Sequence, residues 1–234
     1  MSYSIASGLG IFAAILLTAG GASPLSADPF EASSSAVAAV VTTSPVAPDG
    51  TPVQCDLPVK LMMKNRGGTD GAGLCVATSI QGAARWQNVE MAFDLQAFAA
   101  KQRGGAYPAK VDQYFKDVAK LKGDDVPRYL NLETKDIEIM RVALSTGRMV
   151  SCTYSFSPSK RYGGAIIAHM VSLVHLDHKW ACVADNNFVG TYEWMGIDDF
   201  KKTFAYRGNG WCVIFLVPGP APVPIYRESS NNAP

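Results

Sequence analysis

Charge is scarce in this chain and evenly split. Its 234 residues carry 21 Lys and Arg against 20 Asp and Glu, a formal net charge of +1, with the cations scattered. That excludes the continuous basic face on which nucleic-acid binding depends, so nucleic acid is not an expected partner. Histidine is rarer still, at three residues: His169, His175 and His178. No Cys-x-x-Cys and no His-x-x-x-His pairing occurs. The expectation is therefore neither a metal centre nor a cofactor. Two glycine-rich stretches, 103–108 and 160–164, do not match a phosphate-binding pattern and read as loops that could line a cleft. There is no internal repeat.

The first 27 residues lack Asp, Glu, Lys and Arg altogether. Within them lies the apolar run Ile11-Phe12-Ala13-Ala14-Ile15-Leu16-Leu17, and Leu25-Ser26-Ala27 is an acceptable cleavage triplet before Asp28. This reads as a secretory signal peptide over 1–27, so export to the periplasm or beyond is expected. A membrane tether through residues 6–25 is the alternative, since about 20 residues can span a bilayer. Residues 28–54 are rich in Ala, Ser, Val, Thr and Pro and offer few large side chains to bury, which reads as a linker. The tail 218–234 has the same character, with Pro218, Pro220, Pro222 and Pro224. The folded domain is thus expected over 55–217. Hydrophobic residues make up 48% of the chain, enough for one sizeable core.

Inside that domain, helical spacing dominates first: 73–86, 89–102, 108–120 and 134–145. Pro108 suits a first turn, and Val111, Tyr114, Phe115 and Val118 form an apolar stripe. The pattern then turns to strands at 148–155, 165–176, 179–186, 191–195 and 211–217, rich in Val, Ile, Tyr, Trp and Phe, with a short helix at 197–204. Helices followed by antiparallel strands predict an α+β domain.

Three groups in this layout carry chemistry. Cys75 follows Gly71-Ala72-Gly73-Leu74 and opens a helix. Free N–H groups and the positive end of the dipole favour a thiolate at that place and can stabilise an oxyanion. His169 begins the apolar strand Met170-Val171-Ser172-Leu173-Val174, where a buried imidazole needs a hydrogen-bond partner. His175 and His178 flank a turn and need no special reason. A hairpin centred on Asp177 puts Asp185 directly opposite His169. One centred on His178 moves Asp185 opposite Val171, still on the side of His169. A two-residue turn brings Asn186 there instead. Asp185 or Asn186 could then hold the imidazole, as the third member of a triad does. Five cysteines, Cys55, Cys75, Cys152, Cys182 and Cys212, leave one unpaired in an exported protein. If that one is Cys75, up to two disulfides are possible among the rest.

The order Cys, His, then Asp or Asn, with the Cys opening a helix and the others on a later sheet, resembles the papain-like cysteine peptidases. The sixteen residues from His169 to Asp185 are similar to the family's separation, and His169-Met170-Val171 looks like its His-Ala-Val strand. An Asp as the third residue looks more like the bacteriocin-leader peptidase branch. The resemblance implies N-terminal helices packed on an antiparallel sheet. It also implies a cysteine peptidase with Cys75 as nucleophile, His169 as base, Asp185 or Asn186 as orienting group, and a protein or peptide substrate. The family usually has a Gln six residues before the nucleophile. That position here is Thr69, with Asn65 and Asp70 as the nearby groups that could reach the site. Losing one oxyanion donor costs about 10²–10³ in rate. An inactive binding or scaffold protein on the same fold, and a cell-wall amidase or acyl transferase, are the alternatives.

Overall fold

The computed structural model describes residues 37–68 and 70–218. The signal-peptide, tether and tail readings, and Thr69, lie outside the described residues. Within them no helix is long and apolar enough to cross a membrane.

The architecture is α+β. Seven antiparallel strands form one sheet: β1 (Val40–Thr42), β2 (Tyr129–Thr134), β3 (Val150–Tyr154), β4 (His169–Leu176), β5 (Trp180–Ala184), β6 (Tyr192–Gly196) and β7 (Gly210–Phe215). Their order is β1-β6-β5-β4-β3-β7-β2, so β4 is central, and all eight of its residues are buried. Among the described residues five α-helices accompany the sheet: α1 (Cys75–Gln87), α2 (Leu95–Ala99), α3 (Pro108–Lys122), α4 (Glu138–Ser145) and α5 (Ile197–Phe204). Burial on both faces explains why β3, β4, β5 and β7 read as near-continuous apolar runs.

Helix α1 packs across β4, β3 and β7. Nearly its whole circumference is buried, from Val76 to Ala84, as expected for a helix without a charged face. The helix lies close to the sheet: a Cβ on Gly82 would make van der Waals contact with Ser172 Oγ at 3.5 Å. Apart from Gln87 Oε1, the buried polar side-chain atoms of α1 are paired, as burial requires. Gln81 Oε1 accepts the Gln96 N–H (2.8 Å), and Gln96 Nε2 donates to Thr78 Oγ1 (2.6 Å) and to the carbonyl of Lys64 (2.9 Å). Asn88 ends α1 in the left-handed conformation with φ 57°. The helix expected over 89–102 is consequently split, into a 3₁₀ turn at Glu90–Ala92 and α2. Helix α3 starts on Pro108 and buries Val111, Tyr114, Phe115 and Val118, as the stripe predicts.

Two strands escape the sequence reading. Strand β2 covers the outer edge of β7 and is only half-buried. Strand β1 lies inside the stretch read as linker, so the boundary expected at residue 54 is too late. Val40, Val41 and Thr42 pair with β6, Ala47 is buried, and the N–H groups of Gln54 and Cys55 both reach the carbonyl of Val174. Backbone hydrogen bonds fix this segment, and they demand no large side chains.

Candidate active site

Cys75 is the first residue of α1. No side chain of the capping residue Leu74 satisfies the helix start. The Leu74 N–H instead donates to Asn65 Oδ1 (3.0 Å) and to the carbonyl of Arg66 (3.1 Å). The Cys75 thiol is half-buried, whereas Cys55, Cys152, Cys182 and Cys212 are fully buried. None of the five is bridged, so the disulfides that an exported chain could carry are absent among the described residues; Cys152 and Cys212 are register partners on β3 and β7.

The five thiols divide sharply in acidity. Burial pushes Cys55 and Cys212 up to about 12 and raises Cys152 and Cys182 well above the usual range. Burial acts on Cys75 too, but a hydrogen bond from His169, its charge, and the backbone N–H groups of Met170 and Val76 outweigh it. The net direction for Cys75 is down, toward the thiolate.

His169 is the first residue of β4. Its Nε2 lies 2.8 Å from Asp185 Oδ1, and the Cys75 thiol acts on the same ring. Burial alone would lower its pKa, yet the hydrogen bonds and charges of Asp185 and Cys75 raise it to about 9. Asp185 is held below the usual carboxylate range. Burial again opposes the charge. His169, the Tyr162 hydroxyl (2.6 Å to Oδ2) and the Asn187 N–H (2.8 Å to Oδ1) overcome it. The three directions agree: an imidazolium between them favours both the thiolate and the carboxylate.

A β-bulge decides that Asp185 is the partner. The turn closes from Asp177 to Trp180, and near it Leu176 pairs with Ala181 and His175 with Cys182. Continued unbroken, that register would set Asp185 opposite Ser172, on the wrong side of the sheet from His169. One extra residue in β4, Val174, shifts it: Leu173 pairs with Val183 and Ser172 with Ala184. One step further, Asp185 falls opposite Val171 and so on the side of His169. This matches the diagonal arrangement among the sequence alternatives. The bulge carbonyl accepts the N–H groups of both Gln54 and Cys55 (3.0 Å each).

Asn186 serves a different purpose. Its Nδ2 donates to Ser79 Oγ (2.8 Å), to the carbonyl of Met170 (3.0 Å) and to the carbonyl of Cys75 (3.2 Å), tying α1 to β4 away from the imidazole. Asp70 is exposed and accepts the N–H groups of Ala72 and Gly104, so it holds a loop. Asn65 is the one of the two that reaches the start of α1. Besides receiving Leu74, its Nδ2 donates to Asn187 Oδ1 (2.9 Å), and its own N–H reaches the carbonyl of Asn186 (2.8 Å). His175 is buried rather than a turn residue, with Nε2 3.0 Å from Asp177 Oδ2 without hydrogen-bond alignment, and its ring against Trp194. Among the described residues no cluster of three or more His, Cys, Asp and Glu could hold a metal.

Tyr162 and Asn187 are site residues that spacing does not reveal. Tyr162 comes from the glycine-rich loop 160–164, so that loop does border the site. No protein-family model matches the chain, and no curated protein matches it in sequence.

Proposed function

We propose that this chain is a thiol hydrolase with a papain-like arrangement, acting as a cysteine peptidase on a protein or peptide amide. The observation that carries the reading is the unbroken string from a helix-opening thiol to a buried imidazole to a buried carboxylate, with His169 Nε2 2.8 Å from Asp185 Oδ1. Cys75 is also the only cysteine that combines solvent access with a pKa shifted down toward the thiolate.

In this reading the Cys75 thiolate attacks the amide carbonyl carbon, and the carbonyl π electrons move onto oxygen. The backbone N–H of Cys75 and the side chain of Asn65 receive that oxyanion. An amide nitrogen has two donor hydrogens; Asn65 gives one to Asn187, and the second is available. Asn65 thereby supplies the side-chain donor that the papain-like family usually takes from a Gln. His169 passes its proton to the amine as the C–N bond breaks, leaving a thioester on Cys75. It then takes a proton from water, whose oxygen attacks the thioester carbon; the C–S bond breaks, releasing the carboxylic acid and restoring the thiolate–imidazolium pair. Asp185 keeps the ring oriented and supports its charge throughout.

A peptidyl chloromethyl ketone tests the reading. Such a reagent requires a thiolate and a correctly placed imidazolium. Wild-type protein should be alkylated at Cys75 alone, as read by peptide mass spectrometry, and should cleave an unfolded protein substrate. Cys75→Ala should do neither. An unmodified Cys75 after prolonged exposure, together with no cleavage, would end this reading in favour of an inactive scaffold.

A further inference from the structure

Resting on that reading, we propose that Tyr162 is a positioning residue: its hydroxyl fixes Asp185 and, through Asn187 and Asn65, couples the histidine arm to the nucleophile helix. The path is continuous. The Tyr162 hydroxyl donates to Asp185 Oδ2 (2.6 Å), and Asn187 Nδ2 donates to the Tyr162 oxygen (2.9 Å). Asn65 Nδ2 donates to Asn187 Oδ1 (2.9 Å), and Asn65 Oδ1 accepts the Leu74 N–H (3.0 Å). Leu74 precedes Cys75. With Asp185 bonded to His169, His169 acted on by Cys75, and Cys75 joined to Leu74 by the chain itself, the path closes into a ring running through both halves of the site.

Each direction in the ring is forced. Asn187 donates to the phenol oxygen, so the phenol proton is committed to Asp185. Asp185 Oδ1 is occupied by His169 and the Asn187 N–H, so Oδ2 is the oxygen the phenol holds. A carboxylate fixed at both oxygens cannot rotate about its terminal torsion, which is otherwise broad.

The loop that presents Tyr162 is anchored independently. Glu193 is fully buried and accepts Tyr154 Oη (2.6 Å), Ser157 Oγ (2.7 Å) and the Ser159 N–H (3.0 Å). The buried Arg161 side chain approaches the same carboxylate at 3.5 Å. Its guanidinium also covers Phe188, which packs edge-on against Tyr162. Gly163 and Gly164, both with positive φ, let the chain turn away after Tyr162. Tyr162 in turn packs edge-on against the His169 ring. A tyrosine merely filling space would need none of the Asn187 and Asn65 contacts.

The test uses iodoacetamide on the full chain, with the rate at Cys75 followed from about pH 5 to pH 10. One hydrogen bond of ordinary strength corresponds to roughly a 2- to 10-fold change in equilibrium. Tyr162→Phe should lower the rate near pH 6 by about that factor while leaving the rate near pH 10 unchanged, because every thiol is then ionised. Asn187→Ala should do the same, and the double variant should lose no more than the worse single one, since both break one path. Asn187→Ala reads the coupling from the other end should Tyr162→Phe fail to fold. A wild-type profile in Tyr162→Phe, an equal loss at both pH extremes, or additive losses would overturn the proposal. If wild type is itself no more reactive than His169→Ala, the reading of the site as a thiol hydrolase falls. If that contrast holds and Tyr162→Phe is silent, only the positioning role falls.

Discussion

Replacing Asp185 by Asn separates the charge of the third residue from its shape. Asn keeps an oxygen to accept from His169 Nε2 and from the Asn187 N–H, and the Tyr162 hydroxyl can rotate to accept from the new amide. The fold should therefore persist. The carboxylate charge is lost, and with it a charge-assisted hydrogen bond inside a site where both side chains are at most 5% exposed. Such bonds are worth about 1.5–3 kcal/mol, and one pKa unit corresponds to about 1.4 kcal/mol. His169, raised to about 9 in the intact site, should consequently titrate about 1–2 units lower in the variant. The sign follows from the charge: the carboxylate favours the imidazolium, so its removal favours the neutral ring. The thiolate loses its partner's charge at lower pH, so the thiolate–imidazolium window closes in from its alkaline end. With only three histidines in the chain, NMR titration of isotope-labelled histidine reads this directly, His169→Gln giving the assignment. A His169 midpoint that does not move in Asp185→Asn would refute the reasoning that Asp185 is what raises it.

Other consequences concern the frame around the site. Deleting Val174 removes the residue that offsets the β4–β5 register, so Asp185 should turn to the opposite side of the sheet; Cys75 alkylation near pH 6 should drop to that of an ordinary thiol, while circular dichroism still reports the fold. Retained reactivity would mean that the bulge does not set the partner. Gly210→Ala should cost about 1–3 kcal/mol in denaturant unfolding, because a Cβ there would overlap the ring of the buried Phe204, which is stacked on Phe200. An unchanged midpoint would show that Phe204 moves aside freely. In native protein, alkylation should label Cys75 alone, and the other four cysteines only after unfolding. A second cysteine labelled in the native state would contradict the burial described.

Much of this was legible in the sequence, for identifiable reasons. The Gly71-Ala72-Gly73 approach to an apolar helical pattern located Cys75 at a helix start, and helix 197–204 coincides with α5. His169 was marked out by standing at the head of an apolar run. The choice among the hairpin registers was not legible, because a bulge at Val174 has no signature in a strand whose residues are all buried. Strand β2 was missed because an edge strand has one partner and a mixed, half-exposed composition. Strand β1 lay in a segment whose small residues resemble a linker, although its backbone is engaged. Tyr162, Asn187 and Asn65 come from three loops distant in sequence, and no spacing rule links them. The polar contacts that unite them exist only once the chain is folded.

The ionisation of the Cys75 thiol bears most directly on the central claim. An ordinary thiol with pKa about 8.5 is only about 0.3% ionised near pH 6. The pH dependence of alkylation at Cys75, in wild type and in His169→Ala, measures the ionised fraction. The expected result is a wild-type midpoint well below the ordinary value that rises when His169 is removed. Superimposable profiles at the ordinary midpoint would show that no thiolate–imidazolium pair exists in this site.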